Sequence, residues 1–195
     1  MRGDILIVGA RPAGISAALF LLARAPHPAD RLTVVDGPTF PREKPCASAI
    51  GARAGRRLAT LGLRVDVPSV AVHGLALTYS GGAVQRREGG IGRVVRRLEF
   101  DEELLRLARA RGVRVEVGVH VNALHPDAHC ITVETSAGPR HVDVVLGADS
   151  VGSVVRRALG FPRGSLHAQA VEVKNAPTAT DDRALRRHLS PGATR

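Results

Sequence analysis

The chain opens on a short apolar run, residues 4 to 8 (DILIV), that reads as a β-strand. A glycine turn follows, then residues 12 to 24 (PAGISAALFLLAR), apolar nearly all round, which predict a buried helix. Residues 31 to 36 (RLTVVD) read as a second strand. Strand, helix and strand at these lengths make a parallel βαβ crossover. Residues 47 to 62 predict a helix ended by Gly62, and residues 70 to 87 alternate around Gly81-Gly82 as a hairpin. The cluster Gly89-Gly90-Ile91-Gly92 has no clear strand before it and reads as a loop. Residues 99 to 111 predict a helix with Phe100, Leu104, Leu107 and Ala108 as its apolar stripe. Glu99, Asp101, Glu102 and Glu103 at its start, and Arg106, Arg109 and Arg111 at its end, complement the macrodipole. Residues 113 to 121 alternate as a strand, residues 130 to 135 and 140 to 146 read as a hairpin, and residues 152 to 159 as a last short helix. After Pro162 the pattern weakens. Residues 166 to 173 read as a strand, and the polar stretch 175 to 195 holds at most a short helix capped by Thr180. The division expected is residues 1–164 as one domain and residues 165–195 as the start of a second unit with a polar tail.

Composition changes this picture little. The 195 residues suit one domain, and aromatics at 3% leave the core to Val, Leu, Ile and Ala. The net charge of +10 is almost all arginine, Lys44 and Lys174 being the two lysines. That balance favours anionic partners, but the arginines are scattered in pairs rather than gathered into a stripe, so nucleic-acid binding is not expected. Cys46 and Cys130 lie far apart without zinc spacing, which points to a reducing compartment, and the start of the chain reads as a strand rather than a signal peptide, so a cytoplasmic location is expected. No metal site is expected, because the histidines are scattered.

The first motif with chemistry is Gly9-Ala10-Arg11-Pro12-Ala13-Gly14, directly after the first strand. A dinucleotide fingerprint, GxGxxG, stands in this position and brings helix-start amides to a pyrophosphate. Here Arg11 replaces the second glycine. If that position is left-handed, arginine costs roughly 1–2 kcal/mol. If it is not, the guanidinium offers charge-assisted contacts instead. Pro12 suits the first helical turn. Asp36 ends the second strand, where an acid accepts hydrogen bonds from a ribose hydroxyl. These residues indicate a dinucleotide and do not separate FAD from NAD.

Residues 40 to 46 (FPREKPC), followed by ASAIGARAGRRLATLGL, closely resemble the segment after the second strand in the geranylgeranyl reductase family, within the wider p-hydroxybenzoate hydroxylase-like flavoproteins. Residues 145 to 157 (VLGADSVGSVVRR) resemble that family's second flavin motif, with Ser150 in place of its usual second glycine. Residues 94 to 105 (VVRRLEFDEELL) resemble its arginine-plus-FD helix start. The resemblance covers about residues 3 to 173. It implies an α/β fold: a Rossmann-like FAD-binding domain with a small antiparallel β layer, truncated before the substrate domain, because the family's third, glycine-aspartate motif has no match. It implies FAD as cofactor and NAD(P)H as transient reductant. Arg42 and Cys46 would line the flavin, with Lys44 fitting the motif. Arg97 would lie near the ribityl chain, the Val121 backbone at the adenine, and Asp149 would help hold the dinucleotide. The activity implied is reduction of alkenes in a prenyl or other lipid-like substrate, which leaves room for peripheral membrane contact. A hydroxylating flavin monooxygenase and a non-catalytic FAD-binding remnant are the alternatives. No residue stands out as a catalytic acid or base.

Overall fold

A computed structural model describes residues 3–25, 29–162 and 164. The strand expected at 166–173, the Thr180-capped helix and the unit expected over 165–195 lie outside the described residues.

The centre is a four-stranded parallel sheet. Its strands are β1 (Ile5–Val8), β2 (Leu32–Asp36), β6 (Arg114–Val117) and β10 (Val144–Gly147), in the order β10-β1-β2-β6. Helix α1 (Pro12–Arg24) joins β1 to β2 and ends just before a 3₁₀ turn at Ala29–Arg31 precedes β2. The connection from β2 to β6 is long. It carries β3 (Ala49–Gly51), α2 (Ala52–Ala59), β4 (Ser69–Tyr79), β5 (Gly82–Val95) and α3 (Arg97–Ala110). Strands β3, β5 and β4 form an antiparallel sheet in that order. A second antiparallel sheet is made by β7 (Val121–Pro126), β8 (Ile131–Thr135) and β9 (Gly138–Val142). The last helix is α4 (Val154–Ala158).

The period of two along β1 and β2 sorts the core into two compartments. Ile7 and Val34, both fully buried, face α1 and α3 and pack with Ile15, Leu19, Phe100, Leu104 and Leu105. Leu6, Val8 and Val35 face the other way and pack with Leu124, Val133, Val142 and Val155. Helices therefore cover one face of the parallel sheet, and the β7–β9 sheet with α4 covers the other. Strands buried on both faces carry near-continuous Val, Ile and Leu, as β1 and β2 do. The two β systems are also tied by charge. Glu116 on β6 accepts from Arg140 on β9, and that guanidinium holds the Glu116 carboxyl below its ordinary value.

Four expectations change in detail. The helix expected over 47–62 is confined to α2, because residues 49–51 pair with β5 as β3. The Gly89–Gly92 cluster is not a loop but lies within β5, where Gly92 sits against the Ile50 carbonyl so closely that a Cβ would come within 2.5 Å of it. The strand expected over 113–121 breaks at Gly118, whose φ of +77° turns the chain from β6 in one sheet toward β7 in another. The apolar run at 140–146 likewise serves two sheets. Asp143 marks the change, its side chain accepting the Asp4 amide at 2.6 Å, and β10 continues from there alongside β1.

Candidate functional site

A cleft of about 170 Å³ opens at the carboxyl ends of β1 and β2, lined among others by Gly9, Arg11, Asp36, His120, Val121 and Asp149. Ligands of open α/β sheets bind at this end of the strands.

The floor is the turn from β1 into α1. Gly9 has a φ of +111°, and a Cβ there would lie 2.4 Å from the Ala148 carbonyl oxygen. A Cβ on Gly14 would lie 1.8 Å from the carbonyl oxygen of Gly9. Both glycines are thus required by close backbone approach. Arg11 differs. Its φ of −80° and ψ of 175° are ordinary extended backbone, so the second glycine of the fingerprint is not needed for conformation and arginine is unstrained there. Arg11 is the N-cap of α1, no side chain caps the helix, and its first turn has no acid. Pro12 occupies the first position, and Ala13 follows in the same turn. The helix start therefore presents open amides and partial positive charge to the cleft.

Asp36 closes the opposite side. It is 8% exposed, and its Oδ2 accepts the Ala10 amide at 2.9 Å. Its Oδ1 takes no hydrogen bond among the described residues. Val121 lines the cleft beside Val119 and His120. The His120 ring lies against Gly37, where an added Cβ would be 2.4 Å from Nδ1. Asp149 also lines the cleft, and one of its carboxylate oxygens is engaged by the fold. Oδ2 accepts from the amides of Val154 at 2.6 Å and Val155 at 3.3 Å. The N-cap of α4 is Ser153, whose Oγ accepts the Arg156 amide at 2.8 Å. Ser150 stands at a φ of +72°, the conformation glycine supplies at least cost. Ser150→Gly is therefore expected to raise stability by about 0.5–1 kcal/mol, the relief of left-handed strain less the added freedom of the unfolded chain. Chemical denaturation of the two proteins checks this.

The 37–48 connection lines the cleft with Gly37 and Pro38 and carries Arg42 and Cys46, which, like Arg97, are not among the lining residues. Arg42 stacks over the Phe40 ring, 5.1 Å from its centroid, and its Nε and Nη2 are buried with no hydrogen-bond partner. Burial and then the Arg11 charge hold its guanidinium below the ordinary value, while Asp36 and Asp101 act in the opposite sense. Arg97, at the start of α3, is held by Asp101 in a bidentate pair, both bonds 2.7 Å. Asp101 was legible only as a helix-start charge, yet it is 2% exposed and fixes Arg97. That pairing raises the Arg97 value, and the Cys46 thiol also contacts the guanidinium. Cys46 is half-buried, and its Sγ accepts the Ser48 amide at 3.5 Å. Lys44 is half-buried on the same connection and is not among the residues lining the cleft.

Sequence gave no signal for His120, whose position depends on β6 ending at Gly118, nor for Phe40 as the platform under Arg42.

No protein-family model matches the chain. It is 33% identical over 200 residues to a menaquinone reductase of Mycobacterium tuberculosis (strain CDC 1551 / Oshkosh), an alignment that takes in 95% of this chain and 47% of that protein. The chain thus spans about half the length of the curated relatives it matches. Among solved structures, the flavin-dependent halogenase CmlS superposes with a TM-score of 0.68 at 23% identity, over 82% of this chain and 31% of that one. The halogenase PltM, solved with phloroglucinol and FAD, superposes with a TM-score of 0.66 at 15% identity, over 82% of this chain and 37% of that one. The fold is that of the Rossmann-type FAD-binding flavoproteins.

Proposed function

We propose that this chain, which has the fold of the FAD-binding flavoprotein oxidoreductases, binds FAD across the cleft and is the cofactor-holding part of an oxidoreductase. The observation that carries the reading is Asp36. A buried carboxylate with one oxygen fixed by the Ala10 amide keeps a second oxygen for a ribose hydroxyl, facing a glycine turn that admits no Cβ. The residues present suit the cofactor. The backbone of Gly9 and Gly14 and the open start of α1 take a pyrophosphate, and the Val121 strand borders the adenosine end. Arg42, with buried nitrogen atoms that lack partners, and Cys46 belong at the flavin half.

Bound FAD supplies the hydride chemistry, and the protein supplies position and charge. Arg97 is oriented by Asp101 before any ligand arrives, so its guanidinium costs little to place at the ribityl chain. Asp149 holds the start of α4 beside the cleft through Oδ2, and its Oδ1 is proposed to accept from the dinucleotide. The substrate class proposed is a prenyl or other lipid-like molecule with a reducible alkene, reduced by way of flavin that NAD(P)H has charged. The mycobacterial relative named for menaquinone reduction supports a redox role on a prenylated molecule. Among the described residues, no helix is long and apolar enough to cross a membrane, and contact with a lipid phase is proposed as peripheral.

Replacing the ribose acceptor tests the cofactor reading. Asp36→Ala is expected to weaken FAD binding by roughly 1–3 kcal/mol, measured by flavin fluorescence titration. An alanine variant that holds FAD as tightly as the parent shows the ribose assignment to be wrong. On the redox side, NADPH is expected to bleach the bound flavin under anaerobic conditions, and a flavin that stays oxidised removes the oxidoreductase reading.

A further inference from the structure

Helix α2 breaks local rules that α3 keeps. Its eight residues contain no acid, and its N-cap, Gly51, brings no side chain to the first turn. Arg53 stands in that first turn, where the helix dipole disfavours a cation. Arg56 and Arg57 follow at i+3 and i+4, so three exposed guanidiniums share one helix face and repel one another. The fold thus adds Arg53 to what reads in sequence as a pair. Gly55 weakens the helix from within, and Leu58 is its buried anchor. At α3, by contrast, Arg96, Arg97 and Arg106 each pair with an acid three or four residues away. Arg53, Arg56 and Arg57 have no ion pair or side-chain hydrogen bond among the described residues. The positive surface continues past the helix, where exposed Arg111 donates to the Leu61 and Gly62 carbonyls. Asp66 comes within 3.9 Å of Arg64, but these side chains are 80% and 87% exposed, too solvated to neutralise the face. A helix built against its own dipole is stabilised by negative charge outside the chain. Between the arginines stand Ala54 and Gly55, which have no bulk to hold off a flat surface and no group to read or stack on a nucleic-acid base.

We propose that the face formed by Arg53, Arg56 and Arg57 docks α2 on an anionic phospholipid bilayer, lipid phosphates taking the place of the acids that the helix lacks. This gives a location to the peripheral contact proposed above and does not depend on the cofactor. It also sets two effects in opposition. Arg53→Glu supplies a first-turn acid and an i to i+4 pair with Arg57, so the protein alone becomes more stable while its membrane contact weakens.

The test is co-sedimentation of the 195-residue chain with vesicles of phosphatidylcholine alone and of an equal mixture of phosphatidylcholine and phosphatidylglycerol, at low and high salt. The parent is expected to bind the mixed vesicles, to leave the neutral ones in suspension without it, and to dissociate as salt rises. Arg53→Gln/Arg56→Gln/Arg57→Gln is expected to bind on the order of a hundredfold more weakly. Arg24→Gln/Arg109→Gln/Arg114→Gln removes the same charge from exposed positions elsewhere and is expected to change binding by less than about threefold. Arg53→Glu is expected to lose vesicle binding while its melting temperature in solution rises by roughly 2 °C. Circular dichroism confirms that each variant is folded, and Arg53→Glu alone decides the matter if the triple variant is not. If the parent binds mixed vesicles but the α2 triple variant or Arg53→Glu binds them as tightly, or the control triple variant loses as much, the face is wrong and the peripheral contact stands. If the parent ignores the mixed vesicles, both fall, and binding of a single-stranded oligonucleotide in their place assigns the face to nucleic acid.

Discussion

Gly14→Ala is expected to cost at least about 3 kcal/mol of stability and to abolish dinucleotide binding, the upper range for a one-methyl insertion. The added Cβ would lie 1.8 Å from the Gly9 carbonyl oxygen. Both atoms belong to backbone, so no side-chain rotation relieves the clash. Gly9 cannot withdraw, because its amide donates to the Val35 carbonyl at 2.7 Å and its α-carbon lies under the Ala148 carbonyl. The remaining response is to lift α1 from β1. That withdraws Ile15, Ala18 and Leu19, at most 3% exposed, from Ile7 and Val34. The control is Gly55→Ala in α2, where an added Cβ meets nothing within 4 Å and helix propensity improves by up to about 1 kcal/mol. Denaturant midpoints for the two variants should move in opposite directions. A Gly14→Ala protein as stable as the parent would contradict the packing of the turn.

Asp101→Ala is expected to cost about 3–5 kcal/mol, the range for removing one partner of a buried ion pair. The Asp101 side chain is 1% exposed and that of Arg97 13%, so the guanidinium left behind is charged, poorly hydrated and without its bidentate acceptor. The double variant Arg97→Met/Asp101→Leu removes both charges and should recover most of the stability. It should not recover FAD affinity, because the proposed contact of Arg97 with the ribityl chain is then lost. A loss under 0.5 kcal/mol in Asp101→Ala would show the pair to be solvated. Stability without FAD binding in the double variant separates the structural role of the pair from its role at the cofactor.

Much of the architecture was legible because β1, α1 and β2 follow one another in the strictest pattern the chain contains. An apolar strand, a glycine turn with two obligatory glycines, a helix buried on most sides and a strand ending in an acid leave few alternatives. What was not legible shares a cause. The runs at 113–121 and 140–146 alternate as single strands would, but each is divided between two sheets, and alternation carries no record of which sheet a residue joins. The glycines of β5 look like loop residues in sequence, and are needed because β3 crosses close against Gly92. Asp101 and Glu99 read alike as helix-start acids. Only the fold distinguishes them, one fully buried against Arg97 and the other half-buried and paired with Arg96, 2.9 Å away. For the site, the fingerprint located Gly9, Gly14 and Asp36, whereas the seat of Arg42 over the Phe40 ring depends on the path of the 37–48 connection, which no local pattern encodes.

The cleft is proposed to be built for FAD. Equilibrium titration of the purified chain with FAD and with NAD, under one set of conditions, tests it most directly. FAD is expected to bind at least tenfold more tightly, about 1.4 kcal/mol, because Arg42, Cys46 and Arg97 are proposed to serve the flavin half and nicotinamide has no counterpart for the ribityl chain. Equal affinities, or a preference for NAD, would contradict the account.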